Sequence, residues 1–139
     1  MKHLFPSLAF ALLVAAPAFA GDPAAGEKTF GKCKACHSIT APDGTAVQKG
    51  GKVGPNLYGV VGRQIGTAPD FTYSAGTIAA GADGTKWDEA LIAAYLPDPS
   101  AWIEKKTGDA TLKSKMTFKL ATGGEDVAAY LASVAPPAK

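Results

Sequence analysis

Cys33-Lys34-Ala35-Cys36-His37 gathers both cysteines of this 139-residue chain, and one of its two histidines, into five consecutive positions. Two thiols three positions apart on a helical turn can each add to one of the two vinyl groups of a porphyrin. The adjacent imidazole is then held on one face of the ring, where a nitrogen can bind iron. This is the C-x-x-C-H pattern of c-type haem attachment. Two cysteines placed at random fall at this spacing in about 1.5% of cases, and the following histidine makes accident rarer still. A Cys-x-x-Cys redox pair would call for a thioredoxin-like βαβ framework, which this sequence does not suggest. A short-loop disulfide would have no use for His37.

A second donor stands far along the chain. Once Met1 and His3 are set aside with the leader described below, His37 is the sole histidine and Met116 the sole methionine. A methionine is ordinarily a core filler. Met116 instead follows Lys113-Ser114-Lys115, in a polar, irregular stretch rather than on an apolar helix face. That placement suggests a thioether presented from a loop. Such a soft, neutral donor opposite a histidine favours reduced iron and raises the reduction potential.

These residues need elements to position them. Lys2 and His3 precede an apolar run from Leu4 to Ala16, broken by Pro6 and Ser7, and Ala18-Phe19-Ala20 ends it with small residues. This reads as an export signal at residues 1–20, cleaved after Ala20; the run is too short for a confident membrane span. Residues 21–139 then form one domain. All sixteen glycines lie there. So glycine-rich a chain has modest aliphatic content, and a bound cofactor would supply core volume. Two cysteines exclude a multi-bridge disulfide scaffold and a four-thiolate zinc site. The net charge of +2 excludes nucleic-acid binding by bulk charge.

Asp22-Pro23 is an N-cap and first helical position for a helix running through Phe30 toward Cys33. From Thr40 to Gly84, glycines and prolines leave loops and short helical turns, without strand alternation. Thr85-x-x-Asp88 resembles a capping box for a helix through Leu91, Ile92, Tyr95 and Leu96. Pro97 stops it, and Asp98-Pro99 starts a short helix bearing Trp102 and Ile103. Thr107 to Phe118 is irregular. Thr122-x-x-Glu125 is a second capping-box pattern, opening a helix with Val127, Tyr130, Leu131 and Val134 on one stripe. Pro136-Pro137 ends it. The expected fold is all-α with long loops.

With these residues in place, the chain resembles the class I cytochromes c, most closely the bacterial cytochromes c2. The likeness spans essentially all of residues 21–139. It rests on Cys33 to His37, on Gly54-Pro55-Asn56-Leu57-Tyr58-Gly59-Val60-Val61-Gly62-Arg63 and on Ser114 to Leu120. The resemblance implies a small cytochrome c fold wrapped around one haem c, covalently attached through Cys33 and Cys36, with His37 and Met116 as iron ligands. It implies that Gly26 and Phe30 pack the first helix against Tyr130 of the last. It implies that the Pro55 carbonyl accepts from His37. Arg63, Tyr73, Trp87 and Ser114 match positions that hydrogen-bond haem propionates. Tyr95 matches a tyrosine near the axial sulfur, and Phe118 and Leu96 match walls of the methionine side. Two segments, 41–46 and 104–113, are longer than in short mitochondrial members.

Two protein ligands would leave iron no open site. The resemblance therefore implies a monomeric, periplasmic one-electron carrier rather than an enzyme. It would pass electrons from a cytochrome bc1-type complex to a photosynthetic reaction centre or cytochrome oxidase. Lys32, Lys52 and Lys115 would ring the haem edge and steer transient docking. The competing classes are a haem peroxidase or gas-binding cytochrome, and a subunit of a larger redox complex. The first predicts an open sixth position and a distal acid–base group, for which no second histidine exists in residues 21–139.

Overall fold

A computed structural model describes residues 21–136. The leader at residues 1–20 lies outside the described residues. The elements are α1 (Pro23–Phe30), β1 (Ile39–Thr40), β2 (Ala46–Gln48), α2 (Ala75–Gly81), α3 (Glu89–Tyr95), α4 (Pro99–Thr107) and α5 (Gly124–Ser133). No helix among the described residues is long and apolar enough to cross a membrane.

The helix starts show which local signals prevailed. Asp22 caps α1, its Oδ1 accepting from Ala24 N at 2.9 Å. Asp98 caps α4 in the same way, accepting from Ala101 N at 3.0 Å, with Pro99 in the first turn. The two capping-box readings need correction. Asp88, not Thr85, caps α3, accepting from Leu91 N at 2.7 Å. Residues 85–87 are extended there: Ile65 N donates to Thr85 O, Trp87 N to Arg63 O and Gly62 N to Trp87 O. A backbone paired across to another segment cannot also start a helix. Gly123, not Thr122, precedes α5, in the left-handed region at φ 85° and without a side-chain cap. Glu125 and Asp126 then place negative charge in the first turn, near the positive end of the helix dipole.

A small antiparallel ladder also corrects the strand-free reading. Ile39 pairs with Gln48 and Thr40 with Ala46, with an irregularity between them. Strands of two and three residues are too short for alternation to show. Their turn is built from Pro42-Asp43-Gly44, residue types suited to a tight turn. Gly44 sits at φ 89°, and Ala41 N closes the loop on Thr45 O at 2.9 Å. Segment 41–46 is thus a hairpin turn. Gln48 Nε2 donates to Tyr130 Oη at 2.8 Å, tying the hairpin to α5. The second long segment begins inside α4, which ends at Gly108 in the left-handed region.

The crossing of α1 and α5 is the tightest contact between helices. A β-carbon on Gly26 would stand 1.9 Å from Asp126 O and 2.8 Å from Tyr130 Cβ, so the backbones meet with no side chain between them. Phe30 is fully buried, with its ring 5.8 Å from that of Tyr130. Asp22 N donates to Asp126 Oδ1 at 2.8 Å. The resulting core joins Phe30, Ile92, Leu96, Val127, Tyr130 and Leu131. A second cluster gathers Ile65, Ala80 and Ile103, and Trp87 and Tyr95 pack against both. Gly26→Ala should therefore force the helices apart and destabilise the holoprotein by about 2 kcal/mol or more. A lowered urea midpoint at unchanged slope would show it; a midpoint within error of wild type would contradict this packing.

A cleft lined by the C-x-x-C-H turn and the Met116 loop

Beyond α1 the chain continues as a single helical turn. Cys33 N donates to Phe30 O, and His37 N to Cys33 O at 2.9 Å. That turn places Cys33, Cys36 and His37 on the wall of one cleft of about 300 Å³. Cys33 is buried and Cys36 partly so, and no disulfide joins them. Burial pushes the Cys33 thiol up, Cys36 adds to the rise, and Lys32 opposes it.

His37 is buried, and Nδ1 lies 2.8 Å from Pro55 O. The carbonyl can only accept, so Nδ1 carries the proton and Nε2 is left for another bond. Burial pushes the imidazole below its ordinary range, with the Pro55 bond opposing. Two glycines, of which only Gly54 lies in the block that carries the resemblance, pack against His37. A β-carbon on Gly54 would stand 2.3 Å from His37 Cε1, and one on Gly50 1.9 Å from His37 O. Gly51 N donates to Lys34 O at 2.9 Å and Gly54 N to Cys36 O at 2.8 Å. Loop 50–54 therefore lies directly on the C-x-x-C-H turn. The signal was present as Gly50-Gly51-x-x-Gly54, but a sequence does not show what a glycine faces.

Met116 lines the same cleft, brought there by a loop tied at several points. Ser74 Oγ donates to Lys113 O at 2.7 Å, and Ser114 N donates to Ser100 Oγ at 3.1 Å. Met116 N donates to Ser114 Oγ at 3.0 Å, and Leu120 N to Leu96 O at 2.9 Å. Tyr95 Oη is 2.8 Å from Ser114 Oγ. Burial pushes the Tyr95 hydroxyl up, with this bond opposing. Every site residue expected from the sequence borders the cleft: the cysteines, His37 and Met116 together with Pro55, Arg63, Tyr73, Trp87, Tyr95, Ser114 and Phe118, and Leu96 as well. Ser74 and Thr77 border it too and were missed, because short hydroxyl side chains carry no spacing signal.

The walls are mainly apolar, with Phe30, Leu57, Val60 and Leu131 among them. Arg63 stands among them as a partly buried cation. Its guanidinium donates to Asn56 O at 3.2 Å from both Nη1 and Nη2, and burial pushes its pKa down. Among the described residues no carboxylate pairs with it. An unpaired, half-buried cation in an apolar cleft fits an incoming group with acidic arms. A flat apolar macrocycle bearing carboxylates, with two thiols and an imidazole nitrogen on one wall and a thioether on the wall as well, matches this donor set.

Comparison with known proteins agrees. No protein-family model matches the chain. It is 62% identical over 124 residues to cytochrome c2 of Rhodobacter capsulatus, covering 89% of this chain and 90% of the relative. It is 51% identical over 132 residues to cytochrome c-550 of Paracoccus versutus, covering 92% and 86%. Solved structures superpose at TM-scores of 0.81 for R. capsulatus cytochrome c2 and 0.82 for ferric P. versutus cytochrome c-550. The first is 60% identical and covers 82% of this chain and 98% of its own; the second is 50% identical and covers 84% and 100%. The fold, the cleft and these likenesses place the protein in the class I c-type cytochromes, electron carriers that hold haem c and are not enzymes. Within that class, the chain belongs to the cytochrome c2 family.

One tie of the Met116 loop depends on charge. Lys119 Nζ lies 2.7 Å from Asp98 Oδ2, and that contact, then the Ala101 N–H, holds the Asp98 carboxyl below its ordinary range. A depressed carboxylate stabilises the fold above its unfolded pKa, and the contribution is lost as pH falls through the folded one. Asp98→Asn retains a helix cap but loses the charge. Its urea midpoint should lie below wild type by a constant interval above about pH 5, and the interval should close in acid below about pH 4. An interval unchanged down to the acid end would remove this ion pair from the fold's stability.

Proposed function

We propose that this protein is an exported, periplasmic, monomeric one-electron carrier in which His37 and Met116 would be the iron ligands of a single haem c bound through Cys33 and Cys36. The observation that carries the reading is convergence. His37, with Nδ1 committed to Pro55, and Met116, distant in sequence, border one apolar cleft together with both thiols. Bound haem supplies an iron that alternates between Fe(II) and Fe(III). The P. versutus relative is described as ferric.

Each residue has a defined task. Cys33 and Cys36 would hold the porphyrin edge through thioether bonds. The Pro55 carbonyl fixes the His37 ring and strengthens its donation. Ser114 and Ser100 fix the loop backbone that presents Met116. Arg63, Tyr73, Trp87 and Ser114 supply donors for the propionates. Phe118, Leu96 and Tyr95 exclude water from the methionine side. Ligands held this firmly move little between oxidation states, and no position stays open for substrate.

The partners follow from the exposed rim of the cleft. Val53 is 75% exposed and Phe118 41%, and Lys32 and Lys115 border the same opening. An apolar centre with cations around it suits brief encounters with acidic surfaces, as on a cytochrome bc1-type complex and on a reaction centre or cytochrome oxidase. Lys32 offers an ammonium with no acidic partner among the described ion pairs. Lys115 has its ammonium 2.5 Å from Thr72 O and over the Phe71 ring, so it contributes charge from a fixed position. Lys52 lies on the exposed loop beside Val53.

Two experiments test the reading. Met116→Ala should abolish the near-infrared methionine-to-iron band, lower the reduction potential and let the reduced protein bind carbon monoxide, which wild type should not do. An unchanged potential would remove Met116 from the iron. Separately, raising salt from low to moderate should slow bimolecular electron transfer to a membrane-bound oxidant, because the charges that steer encounter are screened. A flat salt profile would dismiss the lysine face.

A further inference from the structure

Asn56 is an exposed residue whose side chain is nonetheless used almost completely. Its Oδ1 accepts from Thr40 N at 2.9 Å and from Tyr58 N at 3.1 Å, and its Nδ2 donates to Thr40 O at 2.7 Å. Thr40 pairs on its other edge with Ala46. The Asn56 amide therefore acts as a one-residue third strand, sealing the free edge of β1. The backbone carbonyl of the same residue accepts from both terminal nitrogens of Arg63.

Those anchors flank one peptide bond. Pro55 has a ring-locked φ and no N–H. Gly54 N is bound to Cys36 O before it, and Leu57 N to Ser38 O after it. The direction of the Pro55 carbonyl is thus set by the plane of the Pro55–Asn56 peptide, and Asn56 holds that plane from both its side chain and its own carbonyl. The Pro55 carbonyl is the group that accepts from His37 Nδ1. A weak or misdirected acceptor there makes the imidazole a poorer donor through Nε2. We propose that Asn56 is the positioning residue that aims the Pro55 carbonyl at His37 and so sets the donor strength of the imidazole, a role that rests on His37 being an iron ligand.

The test uses the intact holoprotein. Asn56→Ala and the milder Asn56→Ser are compared with Gln48→Ala, which breaks the bond from the same hairpin to Tyr130 but leaves the Pro55–Asn56 peptide untouched. The readouts are the reduction potential, solvent exchange of the His37 Nδ1 proton by NMR in the reduced state, and the urea midpoint. Both Asn56 variants should raise the potential, since a poorer donor favours ferrous iron. They should speed Nδ1 proton exchange by about tenfold, the loss expected for a weakened hydrogen bond. Gln48→Ala should lower the midpoint while leaving potential and exchange at wild-type values. The proposal is overturned if the Asn56 variants lose stability with potential and exchange unmoved, or if Gln48→Ala moves both as far. Wild-type protein is read first: a His37 ring without the ring-current shifts of an iron-bound imidazole would overturn the ligand assignment itself, before any variant is compared.

Discussion

The hydrogen bond between His37 Nδ1 and Pro55 O, 2.8 Å long, joins the two segments on which the cleft depends. One is the helical turn from Cys33 to His37, which extends α1 by a single turn. The other is loop 50–57, which has little regular structure of its own. Without that bond the buried imidazole would carry an unsatisfied donor, at a cost of about 1–3 kcal/mol. With it, the tautomer is fixed and the free nitrogen is the one that can ligate. Gly50 and Gly54 make the approach possible, because a side chain at either position would occupy the space of His37 itself.

The helical frame answers a different need. Gly26 lets the backbones of α1 and α5 touch, and Phe30 with Tyr130 fills the groove beside the contact. This crossing fixes where α1 ends, and hence where the C-x-x-C-H turn begins. On the far side, Trp87 and Tyr95 stand with ring centroids 5.1 Å apart and pack against both core clusters. They carry the frame across to the loop that contains Met116. The cleft is therefore bounded by three independently braced walls rather than by one rigid sheet.

The Met116 loop is held by bonds from many directions: Ser74 to Lys113 O, Ser100 to Ser114 N, Lys115 to Thr72 O, Asp98 to Lys119 and Leu96 O to Leu120 N. Several are exposed, and each contributes modestly alone. Their sum fixes the backbone on either side of Met116. A loop fixed in this way keeps the Met116 side chain at the cleft. At the opening itself, Lys32 and Lys115 border the cleft.

Much of the chemistry was legible in the sequence because it is local. Cys33, Cys36 and His37 form a motif by adjacency, and Asp22-Pro23 and Asp98-Pro99 declare helix starts by residue type alone. Met116 stood out by being solitary in a polar stretch. The failures share one physical cause. Thr85 looked like a cap but had its backbone engaged by residues 62–65, and Thr122 lost the α5 start to the left-handed Gly123. Gly50, Gly51, Ser74 and Thr77 were not singled out, and the tasks of Gly54 and Asn56 within their matching block stayed hidden, since these roles depend on what folds against them. Residue order thus determined the reactive groups and the helix ends, where the relevant partners lie within a few positions. Only the tertiary structure decided which carbonyl meets His37, which glycines must stay bare and how Met116 comes to the same cleft, because those are contacts between segments that sequence distance keeps apart.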